Sequence, residues 1–355
     1  MIDWVGGKDM RTRITEFLGI KYPIFLSGMS WIATPDLVAA VSNAGGCGIL
    51  ATGVSSPDQV RADVRRVREL TDKPFAANVT LYFPGSRQNA DVLIQEKVPI
   101  VNYALGKGDW IAKEVHAYGG KVIATVTTHK HALAAQRDGA DAVIVTGYEA
   151  AGHGGAVTSM VLIPAIADAV EIPVIAAGGF ADGRGLAAAL CLGAEGISMG
   201  TRFMATAESP CHDNMKKLCV EKEVYDTVYT DRVDGLPARF MKSDASRRII
   251  RRHLNPVSAL LNSRRIAAML GLPWLKLFIG ILFMGYKKSL MMARMAIGFD
   301  AFKVGTVDGD NSRGVLPLGQ IGGIIRDTPT VAEVIDRIVR EAETARLAMD
   351  EKLGS

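Results

Sequence analysis

The sequence predicts an α/β protein, a (β/α)8 TIM barrel carrying an appended, mainly helical cap. Three observations point there. Between residues 23 and 201, eight short apolar runs alternate with longer amphipathic ones. The runs are almost continuously apolar, as strands of a parallel sheet buried on both faces must be. The last two close on Gly178-Gly179 and on Gly200-Thr201, where barrels of this kind keep a phosphate site after strands 7 and 8. An open doubly wound sheet shares the alternation, but eight regular units favour closure. The expected layout is a barrel over 1–208, a cap over 209–300, and a segment over 301–355 that returns to the barrel.

In chain order the runs are PIFLSG (23–28), GILAT (48–52), PFAANVTL (74–81), PIVNYAL (99–105), KVIATV (121–126), DAVIVTG (141–147), PVIAAGG (173–179) and GISMGT (196–201). Helical segments such as TPDLVAAVSNAG and SPDQVRADVRRVRELTD lie between them. Thr34-Pro35 and Ser56-Pro57 put a capping residue before a proline suited to the first helical position. After the seventh run, Asp182–Gly185 is expected to turn into an Ala/Leu helix. Beyond residue 208 the sequence turns helical in character, with no clean β repeat. Residues 329–350 form an amphipathic C-terminal helix.

Composition narrows the function. The 355 residues are 48% apolar, enough for a large core, and net charge is only +4. The basic surplus is local, in Arg247, Arg248, Arg251, Arg252, Arg264 and Arg265. A general nucleic-acid binder is usually more basic, with aromatic interleaving, so no nucleic-acid partner is expected. The four cysteines, Cys47, Cys191, Cys211 and Cys219, lack CxxC spacing and read as thiols of a reducing compartment rather than a zinc site. No metal is expected. The start has acids and no apolar h-region, so no signal peptide is expected and the location is taken as cytoplasmic. The apolar run Leu277–Tyr286 falls short of the roughly 20 residues a spanning helix needs. Residues 266–298 are Met- and Leu-rich, fit for a helical cap, a wall around a greasy substrate or a homo-oligomer interface.

Four sites carry chemistry. Gly178, Gly179, Gly200 and Thr201 offer backbone N–H groups at adjacent strand ends, a phosphate cradle. The cradle alone suits a flavin phosphate and a sugar-phosphate substrate equally. His153, among glycines in TGYEAAGHGG, stands past the end of strand 6, where barrels place catalytic groups, and an imidazole suits proton abstraction near neutral pH. Gly28-Met29 at the end of strand 1 could face a planar heterocycle. Asn78 at the end of strand 3 could pair with ring N–H or C=O groups. A plain loop or an isolated amide explains either of the last two as well.

Taken with RITEFLGIKYPIFLSGM, AVSNAGGCGIL, AAGGFADGRGLAAALCLGAEGISMGTRF and GQIGGIIRDTPTVAE, these motifs resemble the nitronate monooxygenase superfamily of FMN-dependent barrels, which also holds the flavin-type enoyl-ACP reductases. The resemblance runs from about Arg11 to the C-terminal helix and is thinnest over 209–300. It implies FMN phosphate on Gly178, Gly179, Gly200 and Thr201. It sets Gly28, Met29 and Asn78 at the isoalloxazine, makes His153 the active-site histidine, and brings Gln320 near the site. Two departures count against nitronate oxidation as the native activity. Leu26 and Ser27 stand where many relatives have Gln and Gly, and ATVTT (124–128) lacks a lysine found at strand 5 in many nitronate oxidisers. The segments 230–237 and 307–320 resemble a CoA-linked branch that includes an enzyme of steroid-ring breakdown. The implied function is desaturation or reduction of a hydrophobic, cyclic acyl-CoA thioester, with NAD(P)H or O2 as redox partner. In that case Arg247, Arg248, Arg251 and Arg252 would meet CoA phosphates; a solvated helix face explains them equally. The alternatives are nitronate oxidation with O2 and, from another class, a sugar-phosphate isomerase or lyase without flavin.

Overall fold

The computed structural model describes residues 10–82, 85–252, 264, 267, 273–275, 278, 279 and 285–354. Eight parallel strands close on themselves in sequence order. They are β1 (Ile24–Leu26), β2 (Cys47–Ala51), β3 (Ala76–Thr80), β4 (Ile100–Ala104), β5 (Lys121–Val126), β6 (Ala142–Thr146), β7 (Val174–Ala177) and β8 (Gly196–Met199). Leu26 of β1 pairs with Met199 of β8, which shuts the barrel. Each apolar run expected as a strand is one.

Alternation along the strands makes two cores. Side chains pointing inward, among them Phe25, Ile49, Ile100, Ile123, Ile144 and Ile175, meet Ile14 and Leu18 of a short helix α1 (Arg13–Leu18). The opposite set packs under the outer helices. A filled barrel leaves only one mouth, at the C-terminal ends of the strands, for chemistry. The outer helices α2 (Pro35–Asn43), α3 (Pro57–Leu70), α4 (Ser86–Gln95), α5 (Asp109–Ala117), α6 (His129–Arg137), α7 (Ser159–Ala167) and α8 (Gly183–Cys191) follow their strands in turn. Ser56 caps α3 by accepting from Gln59 N, with Pro57 in its first turn. The stretch 182–185 is not a separate turn. Asp182 is the N-cap of α8 and accepts from Gly185 N, so these residues already belong to the helix.

After β8 come α9 (Thr201–Met204) and α10 (Asp213–Glu221). The next stretch departs from the helical expectation. Strands β9 (Thr227–Thr230) and β10 (Ala238–Met241) form an antiparallel hairpin with Thr230 opposite Ala238. TVYT and ARFM are β-branched and aromatic, but each is four residues long and, apart from a single bridge from Arg239 to Gly152, among the described residues each pairs as a strand with the other, so neither adds a strand repeat. Then follow α11 (Asp244–Arg251), a long helix α12 (Tyr286–Thr306), a 3-10 turn at Gln320–Ile324, and α13 (Val331–Leu353). Helix α12 runs through residue 300. A third core ties the hairpin to α12 through Val233, Phe240, Ala301 and Phe302, with the Phe240 and Phe302 rings stacked at 5.4 Å. Most of 253–284, the centre of the expected Met/Leu wall, lies outside the described residues. Among the described residues no helix is long and apolar enough to cross a membrane.

Candidate active site

The loop between β6 and α7 carries His153, and its shape follows from contacts on three sides. Glu149 folds back so that its carboxylate accepts from Ser159 N at 3.0 Å and Ser159 Oγ at 3.0 Å. Ser159 opens α7, so the negative charge sits at the positive end of a helix. On the second side, the Glu149 carbonyl accepts from Gln320 N at 2.9 Å. On the third, the hairpin grips the loop. Arg239 N donates to Gly152 O at 3.2 Å, and Tyr229 Oη donates to Gly154 O at 2.9 Å. Burial, then the neighbouring Tyr148, pushes the Tyr229 phenol up, so it remains a neutral donor.

His153 is half-buried at the end of this grip. Its Nε2 lies 2.7 Å from Asp234 Oδ2, and Asp234 is only 2% exposed. Asp234 sits in the turn between β9 and β10. Among the described residues the other ring nitrogen, Nδ1, has no hydrogen-bond partner.

The other expected residues gather around the same mouth. A Cβ on Gly28 would stand 2.8 Å from Asn78 Cβ, so only glycine lets strand end 1 lie against that amide. Asn78 Nδ2 donates to Asn102 Oδ1 at 2.6 Å, and Asn102 Nδ2 donates to Ile123 O at 3.0 Å. A carbonyl only accepts, so Ile123 O sets the polarity of Asn102, and Asn102 sets that of Asn78. Asn78 Oδ1 is thus an acceptor; it takes a long bond from Thr80 Oγ1 at 3.5 Å and has one lone pair left. Thr125 Oγ1 also takes a bond from Asn102, at 3.0 Å, on the strand where a lysine was absent. Ser27 Oγ, where many relatives have glycine, shares a 2.8 Å hydrogen bond with Ser198 Oγ.

Met29 rests on Gly200, its Sδ 3.2 Å from where a Cβ would be. Gly178 and Gly179 have φ of +89° and +91°, in the left-handed region that glycine enters freely. A Cβ on Gly178 would press on Ala150 of the His153 loop, 3.1 Å from its N and Cβ. Gly319 N donates to Thr201 Oγ1 at 3.1 Å, which draws Gln320 to the cradle. Among the described residues no backbone carbonyl accepts from Gly179 N or Thr201 N. Two adjacent strand ends therefore present free N–H groups, an anion-binding arrangement.

The arginines lie elsewhere. Arg247, Arg248, Arg251 and Arg252 are exposed and line, with Asp244, an open groove of about 640 Å³ along α11. Arg247 pairs with Asp244 at 3.3 Å, and Arg248 Nη2 donates to Ser312 O at 3.0 Å. Among the described residues none of the four makes a hydrogen bond or ion pair with His153 or the cradle. Conversely, Asp234, Asn102, Arg239 and Glu149 build the mouth and were not singled out from sequence. Asp234 lies 81 positions from His153, beyond any local spacing signal, and Asn102 hides in an apolar strand.

Comparison with known proteins agrees with this fold. The family model described as nitronate monooxygenase matches residues 11–91 and 82–341. A protein of Rhodococcus jostii strain RHA1, named (3aS,4S,5R,7aS)-5-hydroxy-7a-methyl-1-oxo-octahydro-1H-indene-4-carboxyl-CoA dehydrogenase, is 38% identical over 94% of this chain and 96% of its own. Its namesake from Mycobacterium tuberculosis is 38% identical over 94% of this chain and 97% of its own. The solved structure of FabK from Thermotoga maritima is 36% identical, with a TM-score of 0.83 over 97% of this chain and 99% of that one. A sugar-phosphate isomerase is thereby set aside. With the fold and the sequence matches in accord, the chain belongs to the nitronate monooxygenase family and is an oxidoreductase.

Proposed function

We propose that this chain is an FMN-dependent dehydrogenase that desaturates a hydrophobic, ring-bearing acyl-CoA thioester. One observation carries the reading: the loop that holds His153 packs directly on the glycine pair of the anion cradle, Ala150 against Gly178. An acid–base group and a phosphate grip therefore share one rigid wall.

The residues present fit FMN. Gly179 N, Thr201 N and the neighbouring Gly178 and Gly200 would hold its phosphate. The fixed acceptor Oδ1 of Asn78 would take a ring N–H, and Gly28 and Met29 would face the ring. Bound FMN supplies a two-electron acceptor for hydride. The chain's own part is acid–base and positional. His153 Nδ1, which has no hydrogen-bond partner among the described residues, takes the proton from the carbon beside the thioester carbonyl, the position that carbonyl acidifies.

The CoA assignment rests on the two relatives named as acyl-CoA dehydrogenases, each spanning 94% of this chain. The α11 arginines give diphosphate a place to bind, since a guanidinium can grip phosphate with two parallel bonds. Nitronate oxidation would use the same histidine and the same cradle, and the family name keeps it as the second reading.

The test is anaerobic mixing of FMN-loaded protein with a panel: a bicyclic hydroxyacyl-CoA, an alkyl nitronate, NADH and NADPH. Bleaching of the flavin band by the thioester is the expected result. Bleaching by the nitronate alone would give the second reading the function.

A further inference from the structure

We infer that Asp234 is a positioning residue for His153, holding the imidazole as the Nε2–H tautomer so that Nδ1 is the atom that accepts the proton. The catalytic importance of this pair rests on the proposed function; the tautomer itself does not.

Geometry comes first. The carboxylate cannot swing away, because both its oxygens are engaged. Oδ1 accepts from Leu236 N at 3.1 Å and Oδ2 faces His153 Nε2 at 2.7 Å. Its backbone is backed by α12. A Cβ on Gly298 would come within 2.8 Å of Asp234 Cβ and 2.9 Å of Val233 O, so glycine there lets helix and turn meet. A Cβ on Gly235, at φ +93°, would likewise come within 2.9 Å of Met291 Cγ. Among the described residues no lysine or arginine pairs with Asp234. A buried carboxylate without a cation is costly to keep unless strong donors reach it. Here those donors are one backbone N–H and the imidazole.

The polarity follows. A carboxylate oxygen only accepts, so the ring nitrogen facing it carries the hydrogen. In a neutral imidazole the other nitrogen then bears the lone pair. When the substrate C–H bond breaks, its proton ends on Nδ1 and its electron pair stays on carbon, spread onto the thioester carbonyl. The imidazolium so formed lies beside the buried negative charge and is stabilised by it. The proton later leaves Nδ1 to water. The other charged or titratable groups on the elements packed around the pair are Asp231, Arg232, Tyr229 and Arg239 of the hairpin, Tyr148 and Glu149 of the loop, and Tyr286, Lys287, Lys288, Arg294, Asp300 and Lys303 of α12. Arg294 lies 3.8 Å from Asp231, so its charge is directed at a carboxylate other than Asp234.

The decisive variant is Asp234→Asn. Leu236 N needs an acceptor, so the amide oxygen stays on that side and the NH2 turns to His153. Nε2 must then accept, and the proton moves to Nδ1, which blocks the base.

The experiment reads imidazole ¹⁵N chemical shifts at pH 8 in histidine-labelled protein, with His153 assigned by the signals lost in His153→Ala. The wild-type ring is expected to carry its proton on Nε2, and the Asp234→Asn ring on Nδ1. A wild-type ring protonated on Nδ1 overturns the inference with no need of any variant. Alongside, Asp234→Asn is expected to bind FMN as the wild type does and to lose thioester turnover by about 10²–10⁴-fold. Its acid limb in a pH–rate profile should also be displaced, which loss of packing alone would not produce. Wild-type turnover in Asp234→Asn overturns the assignment. A wild-type chain with the Nε2–H ring that never bleaches with thioester sinks the proposed function and leaves the pair standing.

Discussion

Arg239 donates twice to the carbonyl oxygen of Tyr148, from Nε at 3.1 Å and from Nη2 at 2.8 Å, while its guanidinium lies 4.4 Å from the centre of the Tyr148 ring. It is 3% exposed and also donates to Thr227 Oγ1 at 2.9 Å. The hairpin and the His153 loop are thus one unit, joined by a planar fork that lysine cannot imitate. Arg239→Lys should cost about 1–3 kcal/mol in urea unfolding, the range for leaving buried acceptors unpaired. It should also lower turnover by loosening the His153 loop. Unchanged stability and turnover would show that the loop holds itself.

Gly178→Ala tests the cradle. At φ +89° a side chain is strained, and the new Cβ would sit 3.0 Å from Gly147 O. The backbone cost alone is about 1–2 kcal/mol. Flavin content after desalting should fall sharply, because the N–H groups of the turn are re-aimed. Full FMN retention would place the phosphate elsewhere.

Asn102→Leu tests the amide relay. Asn102 is 2% exposed and determines which atom of Asn78 faces the mouth. Removing it leaves Asn78 Nδ2 without its acceptor, at about 1–3 kcal/mol. It also frees the amide to rotate. FMN affinity measured by fluorescence quenching should weaken by about tenfold, matching roughly 1.4 kcal/mol. An unaltered affinity would remove Asn78 from cofactor binding.

Acid stability should depend on Asp327, which binds the C-terminal segment to Arg202 behind Thr201. Burial raises its carboxyl, but hydrogen bonds from Arg337 at 2.6 Å and Arg202 at 3.0 Å outweigh that and hold it below the usual carboxylate range. A lowered folded value stabilises the protein above the unfolded value, and this is lost as pH falls through the folded one. Melting temperature should therefore drop from about pH 4 downward, and Asp327→Asn should flatten that drop. An identical pH profile in the variant would exclude this contribution.

How far the site was legible follows from the range of the forces involved. The strands could be read because burial on both faces leaves continuous apolar runs such as DAVIVTG. Gly178-Gly179 could be read because positive φ selects glycine locally. His153 stood out by its glycine-rich surroundings. Asp234 did not: its segment, 230–237, was noticed only as a resemblance, and its pairing depends on a hairpin packing against a loop 81 residues away. The hairpin escaped notice because two strands of four residues each leave little periodicity. Asn102 is invisible for another reason: its polarity is satisfied inside the barrel by Ile123 O, a partner on a different strand.

The most direct measurement of the whole account is the anaerobic half-reaction of His153→Ala. The variant is reconstituted with FMN and mixed with the thioester that bleaches the wild type. The account predicts the same flavin content as wild type and bleaching slowed by about 10²-fold or more. Bleaching at the wild-type rate would contradict it, because the proton would then be leaving to some other group.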